Sequence, residues 1–305
     1  MGTGHGHGYA SAASVHRSRL VLVLCLTAVV LVAEVIGAWW TGSLALLADA
    51  GHMFTDVAGL SLALAAMVLA GRMTHARRTY GFYRLEIFAA AVNAVILLAV
   101  AAGVVVSAVR RLDAPPEVDG GPMLWVALLG GAVNLVALRL LQAGAQHSLN
   151  LRGAYLEVLG DLLGSIAVVV AAVVITVTGR DIADPIASLL IAALIVPRTW
   201  MLLREAVDIL LEATPRGVDL DHVREHIKGT EGVVDVHDLH VWTITSGMPV
   251  MSAHVVVSAD ALAAGGPGPV LDRLGDCLGA HFDVEHCTFQ VEPVGHADHE
   301  SELHP

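Results

Sequence analysis

Two short segments of this chain carry acidic and histidine side chains inside otherwise apolar sequence. They are residues 48–56 (ADAGHMFTD) and residues 155–161 (YLEVLGD). In each segment two potential metal ligands lie four residues apart, so on a helix they stack one turn apart on the same face. Two such helices facing each other would present four nitrogen and oxygen donors, which fits a tetrahedral zinc site. The four candidate ligands are His52, Asp56, Glu157 and Asp161.

Each of these side chains also has a simpler interpretation, in which it hydrogen-bonds to a neighbouring helix and stabilises a helix bundle. Two matched pairs in a chain with only 15% charged residues favour metal binding instead. For Asp49, three residues before His52, we expect an indirect or structural role. For Asn93 and Glu34 the interpretation stays open between a packing hydrogen bond and a place in the lining of a cavity.

The elements that must position these residues are long apolar blocks. The chain is 55% hydrophobic, and its 15% of charged residues is well below the roughly 25% of a soluble domain. A helix needs about 20 apolar residues to cross a bilayer. Six blocks reach that length, at about residues 18–40, 43–70, 85–109, 122–143, 154–178 and 182–202. The sequence therefore predicts a polytopic α-helical membrane protein with six transmembrane helices.

The arginine distribution predicts the orientation in the membrane. With both termini inside, only Arg110, Arg111 and Arg180 fall in outer loops, and the remaining membrane-flanking arginines lie on the inner side. We therefore expect a multi-pass protein of the cell (inner) membrane with both termini cytoplasmic. Three scattered cysteines agree with a reducing compartment, and a net charge of −12 argues against a nucleic-acid partner.

The amino-acid composition along the sequence divides the chain into four parts. Residues 1–17 read as a disordered His/Gly-rich tail, 18–204 as the transmembrane domain, 205–294 as a cytoplasmic domain and 295–305 as a second disordered tail. Within the cytoplasmic part, helical spacing at 218–228 and 270–278 alternates with β-branched runs at 233–244, 250–257 and 287–291. The order αββαβ predicts a small α+β sandwich.

The chain resembles the cation diffusion facilitator family, in the branch of bacterial heavy-metal efflux proteins. The resemblance lies in SLALLADAGHMFTD, YGFYRLEIFAAAVNA, HSLNLRGAYLEVLGDLLGS, DPIASLLIA and GVVDVHDLHVW, and extends over nearly the whole chain. It implies six transmembrane helices, a homodimer, a metallochaperone-like cytoplasmic domain and exchange of metal for protons. It also places the transport site on the same four residues that the spacing selects.

The resemblance further implies a cytoplasmic metal site at His237, His254 and Glu292, with His286 as an addition. Residues two apart in a strand share a face, which puts His286 and Glu292 on one side of the last strand. Metal there would tighten the dimer, whereas histidines that merely solvate a sheet are the alternative. Arg84 resembles the basic residue of the membrane–cytoplasm junction, with Asp208 or Glu212 as partner, and an ordinary inner-side arginine is equally open.

Glu157 departs from the family pattern, in which zinc transporters usually carry His and some others Asp. With three carboxylates and a neutral His52, a divalent ion would leave the site at a charge of −1, so one carboxylate is expected to keep a proton or gain a donor. Carboxylate in place of imidazole also weakens discrimination against manganese, iron or cobalt. Zinc is the expected substrate, with cobalt, cadmium, manganese and iron as alternatives, and no cofactor is expected.

An apolar environment disfavours charged carboxylates, so the empty site should hold protons that metal binding expels. This predicts an antiporter rather than an enzyme. An intramembrane metalloenzyme is the less favoured alternative, because no H-E-x-x-H sequence occurs and four protein ligands leave no open position for catalysis. A metal-responsive membrane sensor is the other alternative, although the sequence contains no appended effector domain.

Overall fold

The computed structural model describes residues 7–70, 79–145, 149–281 and 286–296. Their coordinates divide into two compact units, residues 1–65 with 90–203 and residues 66–89 with 204–305. Six long helices come first in the chain: α1 (His7–Thr41), α2 (Leu44–Ala70), α3 (Tyr83–Asp113), α4 (Gly120–Ala145), α5 (Leu149–Thr178) and α6 (Ala183–Leu210). The prediction of six transmembrane helices is confirmed.

The helices have the length and surface that a bilayer requires. Within the described part of the chain, all of them except α2 contain a stretch apolar enough to span a membrane, and α2 is 27 residues long. Large apolar side chains such as Trp125 and Val177 are exposed, whereas many buried positions between the helices are alanine or other small residues. Apolar surfaces outside and small residues at the contacts are typical of helices that pack in lipid.

Helix α1 differs from the prediction at its start. It begins at His7 and so extends into the segment 1–17, for which the sequence predicts disorder. The stretch YASAAS contains three alanines, and alanine is the strongest helix former, which favours continuation of the helix into this segment. Residues 1–6 and 297–305 lie outside the described residues.

Helix α2 is anchored at its first turn by a carboxylate from α6. Asp184 is fully buried and accepts hydrogen bonds from the Ser43 hydroxyl at 2.6 Å, the Leu44 amide at 2.9 Å and the Ala45 amide at 3.1 Å. The first amides of a helix have no partner inside the helix, and a carboxylate there is also stabilised by the helix dipole. Asp184 therefore fixes the start of the helix that carries His52 and Asp56.

Glycine allows α5 to approach α2 closely. A Cβ atom on Gly164 would lie 2.9 Å from Oδ1 of Asp49, closer than real side-chain contacts allow. One turn earlier, Gly160 has free space, with the nearest neighbouring atom 3.9 Å from such a Cβ. Position 164 therefore needs glycine if α2 and α5 are to keep this separation.

The second unit contains a three-stranded sheet covered by helices on one face. After α7 (Leu220–Lys228) come β1 (Val233–Thr243), β2 (Pro249–Val257), α8 (Ala259–Gly265), α9 (Gly268–His281) and β3 (His286–Pro293). The strands lie in the order β1-β2-β3, with β1 antiparallel and β3 parallel to β2. The predicted α+β domain is confirmed. The predicted αββαβ order lacks the seven-residue helix α8, because this helix buries no residue and its sequence has no helical spacing of apolar residues.

The core of this unit explains which face of the sheet carries the polar residues. Alternate strand residues, among them Val255 and Val291, pack against Val223 and Ile227 of α7 and against α9. Since successive side chains of a strand point to opposite faces, the residues between them lie on the face turned away from this core. His254 and Glu292 are among those residues.

Candidate metal sites

The structure brings together one candidate ligand from each of the two site helices. Nε2 of His52 on α2 lies 3.3 Å from Oδ1 of Asp161 on α5. The two residues are 8% and 4% exposed, so both donors are withdrawn from solvent inside the bundle. Asp56 and Glu157 occupy helical positions on α2 and α5, one turn from His52 and Asp161, and their side chains lie outside the described residues.

Two hydrogen bonds hold the backbone next to this pair. The Asn93 side-chain amide on α3 donates to the Thr55 carbonyl at 2.8 Å, and the Thr55 hydroxyl donates to the His52 carbonyl at 2.7 Å. Asn93 therefore makes a helix-packing hydrogen bond, which is one of the two roles left open by the sequence. The bond joins α3 to α2 at the residue that precedes Asp56.

Glu34 and Asp49 form a buried carboxyl pair beside the His52–Asp161 pair. Glu34 is fully buried on α1, and its interacting neighbour is the carboxyl group of Asp49, which is 2% exposed. Among the described residues no N–H or O–H donor reaches either Glu34 oxygen. Sequence reasoning gave Asp49 an indirect role and left Glu34 undecided, because spacing along one helix cannot reveal a neighbour on another.

In the second unit, the sheet assembles a three-residue cluster from all three strands. His237 on β1 lies directly opposite His254 on β2, and Glu292 lies two residues beyond the β3 partner of His254. One potential ligand atom from each of the three residues lies within 4.8 Å of the others. Two imidazoles and a carboxylate are common zinc ligands.

Glu292 is the centre of this cluster. Its Oε2 lies 3.0 Å from Nε2 of His237, and its Oε1 lies 2.9 Å from Nδ1 of His254 and accepts a 2.8 Å hydrogen bond from Gln290. Burial by itself would raise the pKa of the Glu292 carboxyl, but the hydrogen bonds from His237 and Gln290 and the nearby imidazoles lower the pKa below its ordinary value. The site is therefore arranged around a carboxylate, the form that binds metal.

Asp238 borders the cluster, and sequence reasoning missed it. It lies in an irregularity of β1, where the register shifts between His237 and His240, and its φ of +49° is left-handed. Its carboxylate reaches His240 Nε2 at 2.8 Å and His254 Nε2 at 3.6 Å. Aspartate is rare inside strands. Its presence in the sequence VHDLH could therefore have indicated an irregular strand position with a special role.

The structure does not bring His286 into this cluster. His286 is the first residue of β3, exposed, and its ring packs edge-on against Tyr80 with the centroids 5.9 Å apart. Glu292 lies six positions further along the chain, which is about 20 Å on an extended strand. His286 and Glu292 therefore lie on the same face of β3 but too far apart to bind one ion.

Arg84 pairs with one of its two predicted partners. Its Nη2 lies 2.6 Å from Oε1 of Glu212, while Asp208 pairs with Arg216 at 3.5 Å. Both Arg84 and Glu212 are more than a third exposed, so the pair contributes little to stability, at most about 1 kcal/mol.

Long apolar helices that enclose a buried His–Asp pair are typical of a membrane transporter. The chain belongs to the cation efflux family. Residues 20–211 match the model of the cation efflux transmembrane domain, and residues 215–294 match that of the cation efflux protein cytoplasmic domain, which is a dimerisation domain. The predicted family and the prediction that the chain is not an enzyme are confirmed.

Several characterised proteins are similar over most of their length. The chain is 44% identical over 275 residues to the metal cation efflux system protein CzcD of Cupriavidus metallidurans, covering 90% of this chain and 86% of that protein. It is 40% identical over 273 residues to the zinc transporter ZitB of Escherichia coli (88% and 84%). It is 37% identical over 268 residues to the cadmium, cobalt and zinc/H(+)-K(+) antiporter of Bacillus subtilis (87% and 86%).

One solved structure matches the C-terminal part. It is the metal-bound C-terminal domain of the CzcD transporter from the same Cupriavidus species, 41% identical, and the match covers 25% of this chain and 99% of that one. Its TM-score is 0.23, so the superposition carries no argument about the fold.

Proposed function

We propose that this protein exports zinc from the cytoplasm through a site formed by His52, Asp56, Glu157 and Asp161, in exchange for protons. The observation that carries the proposal is the buried 3.3 Å contact between His52 and Asp161, which joins the two helices whose spacing selects the ligands. Buried ionisable residues in membrane helices are costly and are associated with transport pathways.

The four ligands have different roles in this proposal. Asp56 and Asp161 bind the ion in every case, whereas His52 and Glu157 set metal selectivity and proton coupling. Because metal ligands must be deprotonated, loading from the cytoplasm releases protons, and reprotonation from the other side releases the metal. The carboxylate of Glu157 makes the site harder than one with a second imidazole, so manganese, iron and cobalt compete better with zinc there.

The names of the relatives support zinc, cadmium and cobalt as substrates and support exchange for protons. The Escherichia coli relative is called a zinc transporter, and the Bacillus subtilis relative is called an antiporter of cadmium, cobalt and zinc against protons and potassium. We place the protein in the cell (inner) membrane as a homodimer with both termini in the cytoplasm. The domain boundaries at 17, 204 and 294 stay predictions.

The cluster of His237, His254 and Glu292 has a regulatory role in this proposal. Its three donors come from three strands and lie close enough for one ion. When cytosolic metal is abundant, the ion would bind there and tighten the dimer. His286 is not part of the proposed site.

The test is metal flux in proteoliposomes, with internal pH recorded in the same vesicles. Zinc, cadmium, cobalt, manganese and iron are compared for the wild type, Asp161→Ala and Glu157→His. We expect zinc movement with opposite proton flow, loss of at least about 100-fold of that flux in Asp161→Ala, because one of four ligands is removed from a buried site, and narrower zinc selectivity in Glu157→His.

The matched control is Asp113→Asn, an exposed carboxylate at the end of α3, which should transport like the wild type. Full zinc flux in Asp161→Ala would remove the proposed site. Flux of no metal in the wild type would favour the sensor interpretation, and flux without any counterflow of protons would favour a channel.

A further inference from the structure

Helix α7 carries a second group of metal-ligating side chains, separate from both sites described above. His222 and His226 lie four residues apart on α7, and their Nε2 atoms are 3.1 Å apart. Two imidazole nitrogens bound to one tetrahedral zinc ion, with bonds of about 2.0–2.1 Å, are separated by about 3.3 Å. The two rings therefore already stand at the separation of two ligands of a single ion.

Cys277 on α9 orients one of these rings. Its Sγ lies 3.6 Å from Nδ1 of His226, within hydrogen-bond distance for sulfur. An N–H at Nδ1 that points at the sulfur leaves the Nε2 lone pair for a metal, and histidine ligands usually donate their other ring N–H in this way. The helices keep this arrangement without metal, because α7 and α9 pack through Val223, Ile227 and Leu274 in the core.

The surroundings leave room for an ion and its waters. The three residues line an open cavity of about 460 Å³, together with the carboxylates of Glu225 and Glu231 and with Arg273. The two carboxylates offset the charge of the arginine. An ion held by two imidazoles and completed by water would exchange readily with the cytosol.

We propose that His222 and His226 form a binding site for a divalent transition-metal ion of the zinc, cobalt or copper type, with Cys277 as the positioning residue. The pair lies on the helical side of the domain, whereas His237, His254 and Glu292 lie on the opposite face of the sheet. The site is thus additional to the cytoplasmic cluster. The alternative is a hydrogen bond between two surface imidazoles that never receives a metal.

The experiment measures zinc bound per full-length protomer by equilibrium dialysis, in a chain that already carries Asp161→Ala and His254→Ala. In this background we expect His222→Ala/His226→Ala to bind one zinc fewer per protomer. Cys277→Ala should keep the stoichiometry and weaken that zinc by about 10-fold, as expected for a residue that orients a ligand. Arg224→Ala, on the same helix, is the matched control and should bind zinc like the background.

A second readout needs no substitution. Zinc should protect His222 and His226 from carbethoxylation by diethylpyrocarbonate, measured by mass spectrometry on the wild-type protein, while exposed His296 serves as an internal comparison for general reactivity. Equal zinc stoichiometry with and without the two histidines, or carbethoxylation of both rings at the same rate with and without zinc, would overturn the proposal.

Discussion

At the scale of single residues, the two candidate metal sites differ in what surrounds their ligands. The His52–Asp161 pair is enclosed by helices and lies beside the buried Glu34–Asp49 carboxyl pair. In the His237–His254–Glu292 cluster the two histidines are partly exposed and Glu292 is buried, and neighbouring side chains hydrogen-bond to the ligands. In the function we propose, the enclosed pair serves proton-coupled transport and the partly exposed cluster binds cytosolic metal.

Asp238 gives a prediction at this scale. Asp238→Asn should weaken zinc binding at the His237–His254–Glu292 cluster by about 10-fold, because outer partners that orient a histidine ligand typically contribute this much affinity. Glu292→Ala should abolish binding there. Zinc affinity is measured by chelator competition on full-length protein carrying Asp161→Ala, with Asp235→Asn as control. Wild-type affinity in Asp238→Asn would mean that the carboxylate does not position His254.

At the scale of elements, α2 is held in place by groups from other helices. Asp184 of α6 binds its first turn, Asn93 of α3 binds it near Asp56, and Gly164 of α5 lets it approach Asp49 closely. Three helices therefore fix the helix that carries half of the proposed transport site.

Asp184→Ala should destabilise the protein by about 2–4 kcal/mol, since three donors at the start of α2 would lose a buried, charged acceptor. The measurement is thermal unfolding of the full chain in detergent. Asp181→Ala is the comparison, because among the described residues the Asp181 carboxylate accepts a single hydrogen bond, from the Val118 amide at 3.1 Å. Equal stability losses in the two variants would contradict the anchoring role of Asp184.

Gly164→Ala should reduce zinc flux and stability together, because its methyl group would lie 2.9 Å from the Asp49 carboxylate and push α5 away from α2. Gly160→Ala, one turn earlier on α5, meets only ordinary contact and should be neutral or stabilising by up to about 1 kcal/mol. Flux and melting temperature are measured for both. A Gly164→Ala protein that transports like Gly160→Ala would show that this close approach is dispensable.

At the scale of the whole molecule, the chain combines a helix bundle with an apolar outer surface and a second unit whose apolar residues are buried. The bundle exposes large apolar residues such as Trp39, Trp40 and Leu190, whereas the second unit keeps its apolar residues in a core of its own. That unit matches the family's cytoplasmic dimerisation domain, and the function we propose links metal at its His237–His254–Glu292 cluster to the dimer.

Zinc should therefore raise the dimer fraction of the full-length protein, measured by analytical ultracentrifugation in detergent over a range of protein concentrations. His254→Ala should remove the zinc dependence, because the cluster loses one of its three donors. His296→Ala, near the end of the described chain, is the control. An unchanged zinc response in His254→Ala would separate dimerisation from this cluster.

The sequence by itself determined the parts that depend on local pattern. In lipid, a run of about 20 apolar residues satisfies its backbone hydrogen bonds by forming a helix. For this reason most of the predicted helix ends lie within a few residues of the observed ones. Runs of β-branched residues predicted the strands. Spacing of four residues identified His52 with Asp56 and Glu157 with Asp161 as pairs, and the resemblance to a family supplied His237, His254 and Glu292.

Only the tertiary structure decided which side chains meet. Glu34 and Asp49 lie on different helices, Asp184 caps a helix that begins 140 residues earlier in the chain, and Cys277 reaches His226 across 51 residues. The choice of Glu212 over Asp208 and the separation of His286 from Glu292 also depend on packing. Distances between elements are set by how their surfaces fit together, and no periodicity along one element contains that information.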